Sequence, residues 1–103
     1  MSKYNAKKTF VDGIKFDSAR EANRYIYLRE MEKQGKISDL QLQVPYTILP
    51  KNDKYRAMTY RADFVYFQDG QRVVEDCKGF KTKEYLMKKK LVYGLLGIDI
   101  KES

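Results

Sequence analysis

Residues 60–78 constrain the fold of this chain most, because their pattern predicts a β-hairpin. The first arm, residues 60–67, is rich in the aromatic and β-branched residues that favour strands. The dipeptide Asp69-Gly70 follows, which is a strong short-range signal for a hairpin turn, and residues 72–78 form the second arm. We therefore expect the rest of the chain to be organised around this hairpin.

Both arms of the predicted hairpin carry acidic residues. Asp63 is a charge within an otherwise apolar and aromatic arm. Asp76 and Lys78 are two residues apart, so on a strand their side chains point to the same face. A carboxylate and an ammonium group at a strand end, with a second carboxylate on the paired strand, form a candidate metal site with its own cation.

The composition favours a single folded domain. The length of 103 residues suits one domain, residues 1–103, in which we expect residues 1–7 to be flexible. A hydrophobic fraction of 43% and an aromatic fraction of 14% argue against a disordered chain, although 34% of the residues are charged.

The charge balance points to a polyanionic partner. The chain has 21 Lys and Arg against 14 Asp and Glu, a net charge of +7, which in a small domain favours nucleic acid. Simple solubility is the alternative explanation for such a charge. The chain has no His, which excludes most zinc sites and every His-based catalytic triad.

The remaining bulk features indicate a cytoplasmic protein. A single Cys allows no internal disulfide, which fits a reducing compartment. No apolar run approaches the roughly 20 residues that span a bilayer, and the N-terminal sequence lacks the core of a signal peptide. We therefore expect no membrane association.

Turn and capping signals place the first elements. Asp12-Gly13 predicts a small N-terminal hairpin that joins strands at residues 9–11 and 14–16. Ser18 and Glu21 have the spacing of a capping box, and Gly35 is a natural residue after a helix end, so we predict a helix over residues 18–34.

The second half of the chain adds strands and one more helix. Residues 37–44 alternate as a strand that Pro45 limits, and residues 46–49 continue as a strand or sheet edge. After the central hairpin, Thr82 caps a helix over residues 83–96, and residues 98–100 form a short last strand. This order predicts an α/β fold, with a mixed β-sheet flanked by two helices and an N-terminal β-hairpin.

The first helix supplies a third acid. At 100° per residue its inward face is formed by Glu21, Tyr25, Leu28 and Glu32, with Ala22 and Ile26 beside them. Glu21 therefore lies at the N-terminal end of a face that turns toward the core. The alternative is that Glu21 only completes the capping box or favours the helix dipole.

Glu21, Asp63, Asp76 and Lys78 together suggest Mg²⁺ chemistry. Mg²⁺ is held by a few carboxylates, carbonyl oxygens, waters and substrate phosphate oxygens. Asp63 and Asp76 would share the ion with the backbone carbonyl of Cys77, and Glu21 would complete the site directly or through water. Such an ion lowers the pKa of a bound water, and Lys78 would orient that water or neutralise the developing phosphorane.

This pattern resembles the PD-(D/E)XK nuclease superfamily, which has the restriction-endonuclease-like fold. The amino-acid sequence of residues 16–25, 62–64 and 73–80 is similar to the sequences of a family of small phage-encoded proteins assigned to that superfamily. The resemblance covers nearly the whole chain. The Pro that often precedes the first Asp is Ala62 here. Because Glu75 directly precedes Asp76, either residue could align with the second acid of the family motif. Strand alternation favours Asp76, since only Asp76 shares a face with Lys78.

The resemblance implies a Mg²⁺-dependent DNA endonuclease, with Mn²⁺ as a substitute, that leaves 5′-phosphate and 3′-hydroxyl ends. It makes Asp63 and Asp76 metal ligands, Lys78 the catalytic lysine and Glu21 the helix acid. If the protein is phage-encoded like that family, we expect it to act in the cytoplasm of the host cell. A homodimer that presents two sites would suit branched or recombination DNA.

The second helix is the expected DNA-binding surface. Lysines beside a phosphate-cleaving site would follow the backbone without reading sequence. The alternative is an ordinary solvated helix face. The candidate DNA-binding residues are Lys81, Lys83, Lys88, Lys89, Lys90 and Tyr93.

Two further residues have alternative interpretations. Gln43 would line the site if its strand passes nearby, although an ordinary solvent-facing position is the simpler expectation. Cys77 alternates with Asp76 and Lys78, so we expect it to point to the opposite face and to pack in the core rather than act as a nucleophile.

Two other functions remain open at this point. A non-catalytic nucleic-acid-binding phage protein with the same fold would keep salt-dependent binding after loss of Asp63 and Asp76. A phage factor that binds a host protein would use the basic face for an acidic partner and would have no affinity for DNA.

Overall fold

The computed structural model describes residues 8–103, so the predicted flexibility of residues 1–7 lies outside the described range. Two helices and six strands follow one another along this range. They are β1 (Thr9–Val11), β2 (Ile14–Phe16), α1 (Ala19–Lys33), β3 (Ser38–Leu49), β4 (Met58–Gln68), β5 (Gln71–Asp76), α2 (Lys83–Leu96) and β6 (Lys101–Glu102).

The predicted fold class is confirmed. β1 and β2 form a two-stranded antiparallel hairpin, and a separate four-stranded sheet has the order β3-β4-β5-β6. The first three strands of that sheet are antiparallel, whereas β6 runs parallel to β5, which makes the sheet mixed. Neither described helix is both long and apolar enough to cross a membrane.

The helices begin and end where the capping signals predict. The Ser18 hydroxyl accepts a hydrogen bond from the Glu21 N–H at 3.1 Å, and the Thr82 hydroxyl accepts one from the Tyr85 N–H at 3.1 Å. Gly97 ends α2 with a φ of 69°, a left-handed conformation that costs glycine little.

Three details of the strand prediction are wrong. Pro45 does not limit the strand: it pairs with Arg61 inside β3, because β3 is an edge strand and one side of it needs no hydrogen bond from the sheet, whereas residues 46–49 do continue the strand as predicted. β5 ends at Asp76 rather than at Lys78. The last strand is Lys101–Glu102 rather than residues 98–100, where Ile100 instead packs in the core.

The sheet separates two apolar clusters, one under each helix. On the α1 side, Phe64 and Tyr66 of β4 pack with Tyr25 and Leu28. On the α2 side, Val65 and Val74 pack among residues that include Val92. The predicted inward face of α1 is largely observed, but Ile26 is 50% exposed, so it does not belong to that face.

β3 changes face in its middle. Leu40 and Leu42 pack against the α1 cluster, yet Val44 packs against the α2 cluster, although strict alternation would place all three on one face. Between them Gln43 has a φ of 53°, which is rare for a residue with a side chain. The backbone turn at Gln43 therefore shifts the alternation by one residue.

β4 changes face at the matching point. Tyr60 and Ala62 belong to the α2 cluster, whereas Phe64 and Tyr66 belong to the α1 cluster. Since Leu42 pairs with Phe64, the two strands switch faces side by side, and Asp63 lies at the switch. This irregularity lets one short stretch of the sheet reach groups on both of its faces.

A buried polar network lies on the α1 side. Glu75 is fully buried, and it accepts hydrogen bonds from Arg24, from the Tyr66 hydroxyl at 2.6 Å and from the Ser103 hydroxyl at 2.7 Å. Burial alone would raise the pKa of Glu75, but these three donors outweigh it and hold the pKa below its usual value. Glu75 is therefore a compensated structural carboxylate.

Loss of Arg24 should destabilise the fold. In Arg24→Met the Glu75 charge stays buried without its main partner, so we expect the free energy of unfolding to fall by about 3 kcal/mol in urea denaturation at neutral pH. Arg61→Met is the matched control, because Arg61 is exposed on β4, and it should change the value by less than about 0.5 kcal/mol. Equal stability of the two variants would contradict the assigned role of the network.

Candidate active site

The strand register places four polar residues in one row across the sheet. Leu42 and Val44 pair with Phe64 and Ala62, which sets Gln43 opposite Asp63. Phe64 pairs with Glu75, so the next positions along the two strands, Asp63 and Asp76, are neighbours as well. Asp76 in turn pairs with Glu102 of β6. The row is Gln43, Asp63, Asp76 and Glu102.

Asp63 is held by hydrogen bonds on both of its oxygens. Its Oδ2 accepts from the Cys77 N–H at 2.9 Å, and its Oδ1 accepts from the Gln43 side-chain amide at 3.2 Å. These contacts orient the carboxylate toward the end of β5. The position of Asp63 at the face switch explains how an acid occurs in a strand that is otherwise apolar.

Gln43 links the strands to the helix acid. Its Nε2 also donates to Oε2 of Glu21 at 3.2 Å, so one amide bridges the Glu21 and Asp63 carboxylates. Glu21 projects from the first turn of α1, and only 9% of it is exposed. Gln43 is exposed, as the simpler expectation has it, and its amide nevertheless contacts both carboxylates.

Asp76 and Lys78 form the predicted pair. Lys78 Nζ lies 3.5 Å from Oδ2 of Asp76 and 4.8 Å from the centre of the Tyr85 ring, whose face attracts a cation. Asp76 is 1% exposed, and its Oδ1 has no hydrogen bond of normal geometry among the described residues. The Tyr60 hydroxyl is near enough to this carboxylate to lower its pKa in part. Glu75 turns to Arg24 on the other side of the sheet, so Asp76 is the acid that accompanies Lys78.

β6 keeps Lys78 beside Asp76 after β5 has ended. The Ser103 N–H donates to the Asp76 carbonyl at 3.0 Å, and the Lys78 N–H donates to the Ser103 carbonyl at 3.1 Å. These two bonds continue the parallel ladder by one step. Cys77, between them, packs against the α1 cluster, as alternation predicts for a core residue.

Burial and mutual repulsion shift the pKa values of two of these acids. Burial, followed by hydrogen bonding with and repulsion from Asp63, raises the pKa of Asp76 to about 7. Burial, followed by repulsion from Asp63 and Asp17, raises the pKa of Glu21 to about 7. Both carboxyl groups therefore lose their protons less readily than exposed acids do.

The residues fit a divalent cation of the Mg²⁺ type. Among residues 8–103 no three acid, His or thiol side chains stand close enough to form a metal-binding group. Mg²⁺ needs less, since one or two carboxylates, waters and substrate phosphates usually hold it. The unpartnered Asp76 oxygen beside Asp63 offers that donor set. The structure shows no role for the Cys77 carbonyl, which stays a prediction.

The lysines of the α2 region fall into three groups. Lys81 and Lys89 lie 3.0 and 3.1 Å from Glu102, and Lys88 lies 3.4 Å from Glu84. Lys83 and Lys90 are exposed. Ion pairs on a surface are weak, so the paired lysines stay available to a phosphate backbone.

Of the cavities that adjoin α2, one is lined by Asp76 and Lys78. A cavity of about 220 Å³ is lined by Asp76, Lys78 and Lys88, together with Tyr60. A second cavity contains Lys89, Lys90 and Tyr93 and none of the four predicted site residues. Tyr93 is therefore not brought to the acids, although 63% of it is exposed.

Sequence reasoning missed Tyr60 and Glu102. The Tyr60 hydroxyl is buried without a hydrogen bond of normal geometry, and burial together with the Asp76 charge raises its pKa. Glu102 accepts a hydrogen bond from the Tyr85 hydroxyl at 2.8 Å and forms ion pairs with Lys81 and Lys89. No local pattern reveals either residue, because their partners are distant in sequence.

Comparison with known proteins gives one match. A family model described as "Protein of unknown function (DUF1064)" matches residues 1–95. No curated protein and no solved structure matches this chain.

The raised pKa values predict stability that declines with pH. In the folded protein Asp76 and Glu21 keep their protons up to about pH 7, whereas unfolded acids lose theirs near about pH 4. Between these values the folded state binds more protons, so the free energy of unfolding should fall as the pH rises. The expected fall is on the order of 1–3 kcal/mol, measured by urea denaturation.

Asp76→Asn is the direct test, because asparagine imitates the neutral acid. We expect this variant to be more stable than the wild type at about pH 8, by about 1 kcal/mol or roughly 4–8 °C in melting temperature, and to lose this advantage near about pH 4. Asp39→Asn is the control, since Asp39 is exposed and asparagine tolerates its φ of 56°. If Asp76→Asn is less stable than the wild type at about pH 8, the ionised Asp76 carboxylate does not destabilise the fold.

Proposed function

The chain belongs to the DUF1064 family of proteins of unknown function, and from the geometry of its own site we propose that it is a Mg²⁺-dependent DNA endonuclease. The observation that carries the proposal is the buried, unpartnered oxygen of Asp76 beside Asp63, with the Lys78 ammonium group 3.5 Å from the same carboxylate. Buried charges without compensation are costly and concentrate at functional sites.

The proposed reaction is the hydrolysis of a phosphodiester. Water adds to phosphorus, the bond to the 3′ oxygen breaks and that oxygen takes up a proton, which leaves 5′-phosphate and 3′-hydroxyl ends. A cation held by Asp63 and Asp76 would supply an activated water and would offset charge on the phosphate. Mn²⁺ is expected to substitute for Mg²⁺.

The chain's own residues position the reactants. Lys78, supported by the Tyr85 ring at 4.8 Å, places a positive charge beside Asp76 where a phosphate oxygen would lie. Glu21 has a pKa of about 7, so at neutral pH its carboxyl can accept or return a proton. Gln43 fixes the orientation of Glu21 through the hydrogen bond to Oε2.

The substrate follows from charge and location. The net charge of +7 and the lysines of α2 favour the DNA backbone, with contacts that salt weakens. The chain's resemblance to phage-encoded nucleases supports branched or recombination DNA as the target, the cytoplasm of the host cell as the place of action, and a homodimer as the arrangement that presents two sites.

Cleavage should depend on the two aspartates and on the lysine. With Mg²⁺ or Mn²⁺ we expect wild-type protein to cut flapped, branched, single-stranded or duplex DNA. Asp76→Ala and Asp63→Asn should lower the rate by at least about 100-fold, and Lys78→Met by a comparable factor, as loss of one charge-stabilising group does. The control Asp39→Asn should cut like the wild type. Equal cutting by wild type and Asp76→Ala would remove the assigned role.

DNA binding without cutting would favour the alternative of a non-catalytic binding module. In that case wild type and Asp76→Ala would bind DNA alike, and neither would cleave any of the four substrates with Mg²⁺ or Mn²⁺. If the protein binds no DNA, binding of an acidic host protein remains as the function of its basic surface.

Cation binding can be measured without cleavage. We expect Mg²⁺ or Mn²⁺ to raise the melting temperature of the wild type, because a ligand of the folded state stabilises it by about 2.7 kcal/mol at a hundredfold excess over its dissociation constant. Asp63→Asn and Asp76→Asn should lose this response, and Asp39→Asn should retain it. A response that survives both site variants would place the cation elsewhere on the protein.

A further inference from the structure

A groove between the β3–β4 loop and α2 is not explained by the catalytic residues. It has a volume of about 660 Å³, within the range of about 300–1,000 Å³ that ligand sites have. Its walls come from the end of β3, the loop, the start of β4 and the first half of α2. The lining residues used below are Lys54, Tyr55, Arg56, Met58, Met87 and Lys88.

The groove is continuous with the candidate active site. Glu84 and Lys88 line both the groove and the cavity that contains Asp76 and Lys78. A chain-like ligand with a phosphate at Lys78 can therefore pass Lys88 and enter the groove.

The charge and surface of the groove suit a polyanion that also has apolar faces. Lys54, Arg56 and Lys88 supply three positive charges against the single Glu84. Met58 and Met87 add apolar surface, and Met87 is 49% exposed. This combination is typical of proteins that bind the backbone and the bases of a nucleic acid together.

Hydrogen bonds fix the backbone of Tyr55, whereas its side chain is exposed. The Asn52 side-chain oxygen accepts from the N–H groups of Lys54 and Tyr55 at 2.9 and 2.7 Å, and the Asn52 N–H donates to the Tyr55 carbonyl at 2.9 Å. The tyrosine is nevertheless 66% exposed, with Lys54 Nζ 5.8 Å from its ring. A hydrogen-bonded loop thus presents an aromatic ring beside a cation.

We propose that this groove binds an unpaired DNA strand, with one base stacked on Tyr55 and the backbone along Arg56 and Lys88, next to the site of cleavage. A duplex keeps its bases stacked inside, so neither the ring nor the methionines would meet a base. The proposal rests on the proposed nuclease function for its substrate, and it adds selection for DNA that has a single-stranded segment.

Binding of labelled oligothymidine without divalent cations tests the groove apart from catalysis. We expect Tyr55→Ala to weaken binding about tenfold, within the range of base stacking on one aromatic, and Tyr55→Phe to bind like the wild type. Arg56→Ala should weaken binding and lower the dependence of log affinity on log salt by about one. Tyr27→Ala is the matched control, because Tyr27 is 52% exposed on α1, and it should bind normally.

Photocrosslinking locates the strand. Oligothymidine that carries 5-iodouracil should form an adduct on the peptide that contains Tyr55. Wild-type affinity of Tyr55→Ala, adducts only on other peptides, or equal binding of polyglutamate would each overturn the proposal. Circular dichroism of each variant excludes misfolding as the cause of weaker binding.

The two proposals can fail separately. If Asp76→Asn abolishes cleavage while Tyr55→Ala binds oligothymidine like the wild type, the groove proposal is wrong and the nuclease proposal stands. If Tyr55 is needed for binding but no DNA is cut by wild-type protein, the groove stands and the nuclease proposal is wrong.

Discussion

The fully buried Asp76 carboxyl group lies beside the half-buried Asp63, and the rest of the site depends on this pair. Burial and the neighbouring charge raise the pKa of Asp76 to about 7, and the same causes act on Glu21. A fold tolerates such repulsion only where packing elsewhere over-determines the backbone. Here the paired β4 and β5 strands and the ladder from β6 do so.

The contrast between adjacent acids shows that the repulsion is local. Glu75 and Asp76 are consecutive and equally buried, but they lie on opposite faces of the sheet. Glu75 accepts hydrogen bonds from Arg24, Tyr66 and Ser103, which lower its pKa. Asp76 has one oxygen without a partner, and its pKa is raised. Hydrogen-bond donors therefore compensate the first carboxylate and leave the second less compensated.

The face switch at Gln43 and Asp63 is what joins the two sides of the sheet. Glu21 belongs to the helix on one side, whereas Asp76 and Lys78 turn to the helix on the other. In a regular sheet these groups would be separated by its thickness. The positive φ of Gln43 shifts the alternation, and the Gln43 amide then reaches Glu21 and Asp63 together. A strained residue at such a point is typical of functional sites.

Local signals in the sequence determined much of this protein. Asp12-Gly13 and Asp69-Gly70 define two hairpins, and Ser18 and Thr82 cap two helices. These features need only neighbouring residues, so they can be predicted from a single chain.

The tertiary structure alone decided how the pieces meet. The course of β3 through Pro45, the position of β6, the bridge from Gln43 to Glu21 and the groove beside Tyr55 all join residues that are distant in sequence. The physical reason is that burial and strand register are properties of the packed sheet. No local pattern can specify which oxygen is left without a partner.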